Sequence, residues 1–200
     1  LPFDDFRFTA QLGRVDTSAA GLHLVRQMSS AIDADAEGAV YLSVLVSRAM
    51  DITSDDAQQE DLTLELRDQA NTPYVAFGVT SDEQFAIARP GALKVTAADV
   101  FSTDGVYFLI AKMVFSRQHD QVYLKAFESG TDVIPIHETD VAWTLMGTAT
   151  ENINAVLDRI GIVAGPQASW SIDELRIGTT YEAVAGRSDC SAEGTFLNGD

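Results

Sequence analysis

The sequence from residue 106 to residue 128 reads VYFLIAKMVF, then SRQHD, then QVYLKAFE. Its outer parts form two long apolar runs, and the five polar residues between them have the length of a hairpin loop. Both runs are rich in the β-branched and aromatic residues that strands favour. The stretch therefore predicts two long antiparallel strands, 106–115 and 121–128.

Shorter runs of the same kind recur along the chain. Residues 40–48 are almost continuously apolar, which is typical of a central strand covered on both faces. Leucines alternate with polar residues over 62–67, which predicts a strand with one face in water. Residues 74–79 and 85–88 flank a polar turn and predict a hairpin.

The last third of the chain predicts a further strand pair and one short helix. Residues 157–164 and 169–177 are joined by Gly165-Pro166-Gln167, and we expect them to pair with each other. Helical periodicity is scarce, and one or two helical turns are expected over 148–156. After Tyr181 the sequence becomes polar and glycine-rich.

Short strands at this spacing predict an all-β fold, a two-sheet antiparallel jelly-roll sandwich. The 200 residues suit one large β domain, and a hydrophobic content of 46% is ample for its core. We expect the sandwich to occupy residues 1–182. We expect residues 183–200 to form a polar C-terminal tail, either a linker or a docking arm.

Acidic residues dominate the charge of the chain. Thirty Asp and Glu residues against thirteen Lys and Arg residues give a formal net charge of −17. A surface this negative repels phosphate backbones and anionic lipid headgroups, so nucleic acid is not an expected partner. The apolar runs are all shorter than the roughly 20 residues that span a bilayer, so membrane insertion is not expected.

The cysteine content and the first residues bear on localisation. Cys190 is the single cysteine, so it is expected to be a free thiol or to pair with another chain. The sequence starts at Leu1 without a methionine, which suits a processed product. We therefore expect a secreted protein, extracellular or at a cell surface.

Two neighbouring stretches near the end carry a family resemblance. They read DRIGIV at 158–163 and WSIDELRIGTT at 170–180. They resemble the closing strands of laminin-G-like domains in the concanavalin A-like lectin/glucanase superfamily, especially the secreted bacterial type. The apolar runs at 41–46 and 107–115 lie where core strands of that family are expected. The resemblance implies the fold, and it names no ligand.

The second of these stretches contains a break in its alternation. Trp170 and Ile172 share one parity, whereas Leu175 and Ile177 share the other. Strict alternation cannot place all four on one face, so either a bulge at Asp173-Glu174 re-aims the strand or both of its faces are covered. An acidic side chain at this point is expected to pair with Arg176 or Arg159 or to accept backbone N–H bonds at the end of the sheet, and the alternative is a cation site.

Catalytic chemistry finds little support in the sequence. Retaining glycosidases need two carboxylates about 5–5.5 Å apart, but Asp173 and Glu174 are adjacent and point to opposite faces of a strand. A lyase cluster would combine Tyr123, His119 and Arg117, which only sequence proximity supports. The histidines have no zinc-ligand spacing, and no phosphate-binding glycine loop is present. We therefore predict that the protein is not an enzyme and has no organic cofactor.

Calcium is the one metal that the sequence indicates. The segment DADAEG at 33–38 begins like an EF-hand loop, with oxygen ligands at alternate positions and glycine sixth. The acidic ligand expected at the twelfth position is replaced by Val44, so the segment is not an EF-hand. A looser calcium site would use Asp33, Asp35 and Glu37, and the alternative is a solvated acidic loop.

Exposed aromatic rings are the usual platforms for sugars, because the CH-rich faces of sugars stack on them. The candidates are Trp143, Trp170, Tyr107 and Tyr181. Trp143 follows the polar turn Glu138-Thr139-Asp140, so it has the strongest claim to exposure.

Three functions follow from these observations. The first hypothesis is a non-catalytic extracellular recognition module that binds a polysaccharide or cell-surface glycan or mediates adhesion. The second is a structural subunit, a homo-oligomer that assembles into a surface layer, sheath or filament. The third is a polysaccharide hydrolase or lyase.

Overall fold

The computed structural model describes residues 12–16, 22–49, 61–89, 93–102, 105–149, 152–165 and 169–185. These residues form twelve strands and one short α-helix. The elements are β1 (Leu12–Asp16), β2 (Leu22–Asp33), β3 (Gly38–Ala49), β4 (Leu62–Asp68), β5 (Pro73–Val79), β6 (Gln84–Arg89), β7 (Leu93–Val100), β8 (Val106–Phe115), β9 (Gln121–Glu128), β10 (Leu145–Thr148), β11 (Val156–Ala164), β12 (Ser169–Gly178) and α1 (Tyr181–Val184).

The strands form two sheets of six strands each. The first, sheet A, has the order β1-β12-β3-β8-β9-β10, and the second, sheet B, has the order β2-β11-β4-β5-β6-β7. Every strand pair is antiparallel. The predicted two-sheet antiparallel jelly-roll sandwich is therefore confirmed.

The main core lies between the two sheets and follows the period of two. On β8, Leu109, Ala111 and Met113 point into this core and are at most 1% exposed. The intervening Ile110 and Lys112 lie on the opposite, outer face of sheet A. Since successive side chains of a strand point to opposite faces, this alternation fixes which residues are available outside the sandwich.

The predicted hairpins agree with the structure at two places and disagree at a third. Strands β8 and β9 pair with the bounds expected from the sequence, and β5 pairs with β6. The expected pairing of 157–164 with 169–177 is wrong, because β11 lies in sheet B between β2 and β4 while β12 lies in sheet A. Two strands that are neighbours in sequence therefore belong to different sheets.

The helical turns expected over 148–156 are also wrong. Strand β10 ends at Thr148, strand β11 begins at Val156, and the residues described between them are not helical. Ala34 instead donates a backbone hydrogen bond of 3.1 Å to the carbonyl of Ala155 in this link. This hydrogen bond joins the described part of the link to the turn that follows β2.

A bulge in β12 resolves the broken alternation. The register against β3 shifts between Asp173 and Arg176, and Glu174 has a φ of 55°. The shift lets Trp170 and Ile172 before the bulge, and Leu175 and Ile177 after it, all pack on the main core. The predicted bulge is confirmed, and the expected ion pair is formed between Glu174 and Arg176.

Two buried arginines link the sheets at their ends. Arg89 of β6 lies 3.6 Å from the carboxylate of Asp120, which precedes β9 and is 2% exposed. Asp120 also accepts backbone hydrogen bonds from Ser116 at 3.1 Å and Ile153 at 2.7 Å. Arg48 of β3 pairs with Glu83, which lies in the turn between β5 and β6. Such pairs restrict how the sheets can slide past each other.

The helix α1 belongs to the folded domain. Its first residue is preceded by the cap Thr180, whose hydroxyl accepts a hydrogen bond from Ala183 N at 3.3 Å. Val184 and Ala185 are buried. The division of the chain into residues 1–182 and 183–200 stays a prediction. Residues 186–200, including Cys190, lie outside the described part of the chain. None of the described helices is long and apolar enough to cross a bilayer.

Candidate functional site: an aromatic ledge on the outer face of sheet A

A long loop, residues 129–144, crosses the outer face of sheet A between β9 and β10; we call it the crossing loop. It starts with a tight turn in which Asp132 N donates to Glu128 O at 2.9 Å and Glu128 N donates to the Asp132 carboxylate at 2.9 Å. Farther along, the carbonyl of Pro135 accepts a hydrogen bond of 3.0 Å from the Tyr181 hydroxyl of α1. The loop is thereby held by hydrogen bonds at its start and at Pro135.

A second apolar cluster lies beneath the crossing loop. Tyr41 of β3, Ile110 of β8 and Phe127 of β9 form its floor, and Val141 of the loop and Val184 of α1 cover it. All five side chains are at most 8% exposed. The crossing loop therefore covers part of the outer face of sheet A, and burial of these apolar side chains stabilises its position.

Glu138 ties the crossing loop to two strands. One of its carboxylate oxygens accepts a hydrogen bond of 2.6 Å from the Tyr41 hydroxyl, and the other pairs with the Lys112 ammonium. The Lys112 nitrogen also lies 5.6 Å from the centre of the Tyr41 ring and 5.3 Å from that of Tyr123. Burial first, and the hydrogen bond to Glu138 second, raise the pKa of Tyr41 above its ordinary value.

An aromatic ledge follows where the loop returns to the edge of the sheet. The Trp143 indole packs against the Tyr123 ring with centroids 5.7 Å apart and an interplanar angle of 54°. Both side chains are partly exposed. The Tyr123 hydroxyl donates a hydrogen bond of 2.6 Å to Gln121, and Met146, opposite Tyr123 on β10, is 63% exposed. We call Gln121, Tyr123, Lys125, Trp143 and Met146 the Trp143 ledge.

The ledge owes its composition to strand periodicity. On β9, Val122 and Leu124 are buried in the main core, so Gln121, Tyr123 and Lys125 share the outer face. The next strand, β10, has only four residues and forms the edge of sheet A. Tyr123 therefore lies on the second strand from this edge of sheet A.

Three of the four predicted sugar-binding aromatics are not available as platforms. Trp170 is 0% exposed, Tyr107 6% and Tyr181 1%. Trp170 and Tyr107 both pack against Phe101 within the main core, and Tyr181 lies beneath the crossing loop. Large aromatic rings bury much apolar area in such cores.

Trp143 is the predicted ligand residue that the structure keeps accessible. The residues that surround it were not all found from the sequence. Lys112, Lys125 and Met146 were missed, and Tyr123 was considered only for a lyase cluster. The outward positions Gln121, Tyr123 and Lys125 of β9 were a usable signal, since they alternate with residues of the core.

The residues considered for a lyase cluster and for a calcium site have other contacts in the structure. Arg117 is 81% exposed and lies 3.9 Å from Glu37, whereas the Tyr123 hydroxyl bonds to Gln121. The Asp33 carboxylate accepts a hydrogen bond of 3.1 Å from Asp35 N, an ordinary local turn contact. Among the described residues, no three His, Cys, Asp or Glu side chains are grouped to hold a metal ion, so Asp33, Asp35 and Glu37 are not a preformed calcium site.

Another concavity lies on the outer face of sheet B. It has a volume of about 380 Å³, and small side chains such as Ala76, Ala86 and Ala88 form its floor. At Gly78, an added Cβ would lie 2.0 Å from the carbonyl oxygen of Leu62, so close strand contact explains this glycine. The concavity presents no tryptophan or tyrosine among the residues that line it.

The fold resembles solved lectin-like structures, although no family model and no curated protein matches the sequence. The globular domain of T. cruzi calreticulin aligns with a TM-score of 0.52 and 12% identity over 86% of this chain and 74% of that one. Lectin I from Ulex europaeus, solved with the methyl glycoside of α-L-fucose, aligns with a TM-score of 0.50 and 11% identity over 90% and 98%. The fold is concanavalin A-like.

A third match concerns a much longer protein. A sialidase aligns with a TM-score of 0.52 and 12% identity over 80% of this chain, which spans 14% of the sialidase. At such identities the likeness extends to the fold. The concanavalin A-like sandwich of this chain is therefore established, and its function must be argued from its own side chains.

Proposed function

We propose that this chain is an extracellular, non-catalytic recognition module that binds a glycan at the Trp143 ledge. The observation that supports it is the partly exposed Trp143 indole, held in place against Tyr123 at 5.7 Å. A ring that is already immobilised loses little conformational entropy when a sugar stacks on it.

The ledge combines the two kinds of group that sugar recognition needs. Trp143 and Tyr123 offer ring surface, and Gln121 and Lys125 offer polar groups on the same face of the strand. Met146 adds exposed apolar surface beside the rings. Pockets and platforms with a few fixed polar groups among apolar side chains are typical of small-ligand sites. A sugar-bound lectin with the same fold, that of Ulex europaeus, supports the choice of ligand class.

A glycan microarray followed by calorimetry tests the proposal. The Trp143→Ala variant should lose about 5- to 150-fold in affinity for the glycan that the array identifies, because one stacked ring contributes about 1–3 kcal/mol in comparable base-stacking sites. Val133→Ala is the matched control, since Val133 lies on the same crossing loop and is 79% exposed. The control should bind like the parent chain. Equal affinity of Trp143→Ala and the parent for every bound glycan would contradict the proposal.

Calcium binding and the lack of catalytic activity are separate predictions, and the same purified protein can be used to test them. Binding should be measured with and without millimolar calcium, because calcium binding stays a prediction from the acidic loop. A polysaccharide panel should show no release of reducing ends or unsaturated sugars. Release that persists after extensive purification would favour the hydrolase or lyase hypothesis instead.

Self-assembly is the second candidate function, and one observation favours it. Two apolar side chains of the crossing loop are exposed: Val133 is 79% exposed and Ile136 is 53% exposed. Exposed apolar groups beside one another commonly mark interfaces. Sedimentation at micromolar concentration separates the alternatives: a recognition module runs as a small species, whereas a structural subunit forms large ones that Val133→Asp disrupts.

A further inference from the structure

We propose that the glycan bound at the Trp143 ledge carries a single acidic sugar and that Lys125 reads its negative charge. The inference rests on the proposed function and adds the ligand class to it. Its basis is the different state of the two lysines that lie on the outer face of sheet A.

Lysine is rare in this chain, and its placement is uneven. The sequence contains three lysines, Lys94, Lys112 and Lys125. Lys112 lies opposite Tyr123 in the β8–β9 register, and Lys125 follows Tyr123 by two residues on the same face of β9. Two residues along a strand span about 7 Å. Two of the three lysines therefore flank the Tyr123 ring.

Lys112 is already engaged by the protein. Its ammonium pairs with Glu138 and lies over the rings of Tyr41 and Tyr123, and its side chain is 18% exposed. Glu138 in turn is held by the Tyr41 hydroxyl. The charge of Lys112 is thus balanced by Glu138, and this ion pair helps to hold the crossing loop on sheet A.

Lys125 has a different environment. Its nitrogen lies 5.6 Å from the centre of the Phe127 ring, and among the described residues no carboxylate forms an ion pair with it. It is partly exposed. In a chain with thirty acidic residues, a lysine that lacks a carboxylate partner offers uncompensated positive charge.

Lys125 and Trp143 lie near each other along the β9–β10 edge of sheet A. Leu145 is the register partner of Leu124, so Lys125 lies beside Thr144, the residue that follows Trp143. The backbone contact is direct, since Thr144 N donates to Leu124 O at 3.2 Å. The two residues are therefore neighbours in the backbone, and a glycan that stacks on the Trp143 ring and extends along β9 would meet the Lys125 side chain.

The overall charge limits the ligand to one acidic group on a mostly neutral glycan. A net charge of −17 repels a polyanion, whereas a single carboxylate or sulfate meets one local cation while the rest of the glycan remains neutral. Lysine acts as a compact point charge and does not by itself distinguish the two anions. The test must therefore include both.

Calorimetry with lactose, 3′-sialyllactose, 3′-sulfolactose and a heparin fragment tests the inference. At low salt the acidic trisaccharide or the sulfated disaccharide should bind at least about tenfold more tightly than lactose, as expected for a hydrogen bond to a charged group. The difference should shrink as salt is added. The heparin fragment should bind no better than lactose.

Three variants assign the charge effect to Lys125. Lys125→Gln should remove the preference for the acidic probe over lactose, and Lys125→Arg should keep the preference. Arg117→Gln is the matched control, because it removes one positive charge at a side chain that is 81% exposed and outside the ledge. Its binding should equal that of the parent chain apart from a small, uniform decrease for anions.

The outcomes separate this inference from the proposed function. Equal affinity for neutral and acidic probes, equal effects of Lys125→Gln and Arg117→Gln, or tight heparin binding would each overturn the inference alone. If Trp143→Ala leaves the affinity for every bound glycan unchanged, the proposed function itself fails. Loss of binding on Trp143→Ala together with no effect of Lys125→Gln would retain the site and reject the acidic ligand.

Discussion

The hydroxyl of Tyr41 donates a hydrogen bond of 2.6 Å to the carboxylate of Glu138, across 97 residues of sequence. The contact joins the central strand β3 of sheet A to the crossing loop, and Lys112 balances the charge of the same carboxylate. The loop that carries Trp143 is therefore held by a polar network as well as by the apolar cluster beneath it.

This contact predicts a loss of stability in alkali. The raised pKa of Tyr41 means that the folded state keeps the phenol proton beyond the pH at which the unfolded chain, with an ordinary pKa of about 10, releases it. The stabilisation is complete below pH 10 and is lost as the pH rises toward the folded-state pKa. Urea unfolding at a series of pH values should show the free energy of unfolding falling above pH 10, and Tyr41→Phe should make this fall less steep. An equal slope in both proteins would contradict the assignment to Tyr41.

The buried pair of Arg89 and Asp120 predicts a large stability effect. Asp120→Ala leaves the Arg89 charge without its partner and removes the acceptor of two backbone hydrogen bonds, so we expect a loss of about 3–5 kcal/mol in the free energy of unfolding. Glu37→Ala is the matched control, because its pair with Arg117 is mostly exposed and should contribute less than about 1 kcal/mol. Comparable losses for the two variants, measured by urea denaturation, would show that the Asp120 pair does not link the sheets.

The buried position of Trp170 predicts a structural and not a binding defect. Trp170→Ala should lower the free energy of unfolding by about 3–5 kcal/mol, as expected for a large aromatic side chain removed from a core. The more conservative Trp170→Phe should stay folded and bind glycan with the affinity of the parent chain. A folded Trp170→Phe that no longer binds would restore this residue as part of the binding site.

The concavity of sheet B offers a control for the location of the site. Ala88 lies on its floor, so Ala88→Arg should fill part of the 380 Å³ without reaching sheet A. We expect glycan affinity, measured by calorimetry on the soluble variant, to stay unchanged. Loss of binding with unaltered thermal unfolding would move the site from the ledge to sheet B.

The fold could be predicted from the sequence wherever alternation and turn chemistry agree. Strands β8 and β9 have the predicted bounds, because long apolar runs flank a polar loop of hairpin length. The bulge in β12 was one of the two alternatives predicted from the change of parity, and the register shift against β3 decides for it.

The alternation of apolar and polar residues does not show which strands, distant in sequence, pair with each other. Strands β11 and β12 are close in sequence, and this closeness alone favoured a hairpin. In the structure they belong to different sheets. The helix α1 has four residues, which is too short for a helical period to be visible.

The site could be predicted only in part, for a related reason. Trp143 follows a polar turn, and this context pointed to exposure. For Trp170, Tyr107 and Tyr181, burial depends on which face of a sheet they occupy and on what covers that face. The cover of sheet A is the crossing loop, whose path the local pattern does not specify.

The central claim is that a glycan covers the Trp143 ring, and intrinsic fluorescence tests it directly. The chain has two tryptophans, and Trp170 is 0% exposed, so acrylamide should quench chiefly the emission of Trp143. A saturating concentration of the bound glycan should protect this emission from acrylamide, and a Trp143→Phe variant should show no glycan-dependent change. Glycan binding seen by calorimetry without any change in the quenching of Trp143 would contradict the account.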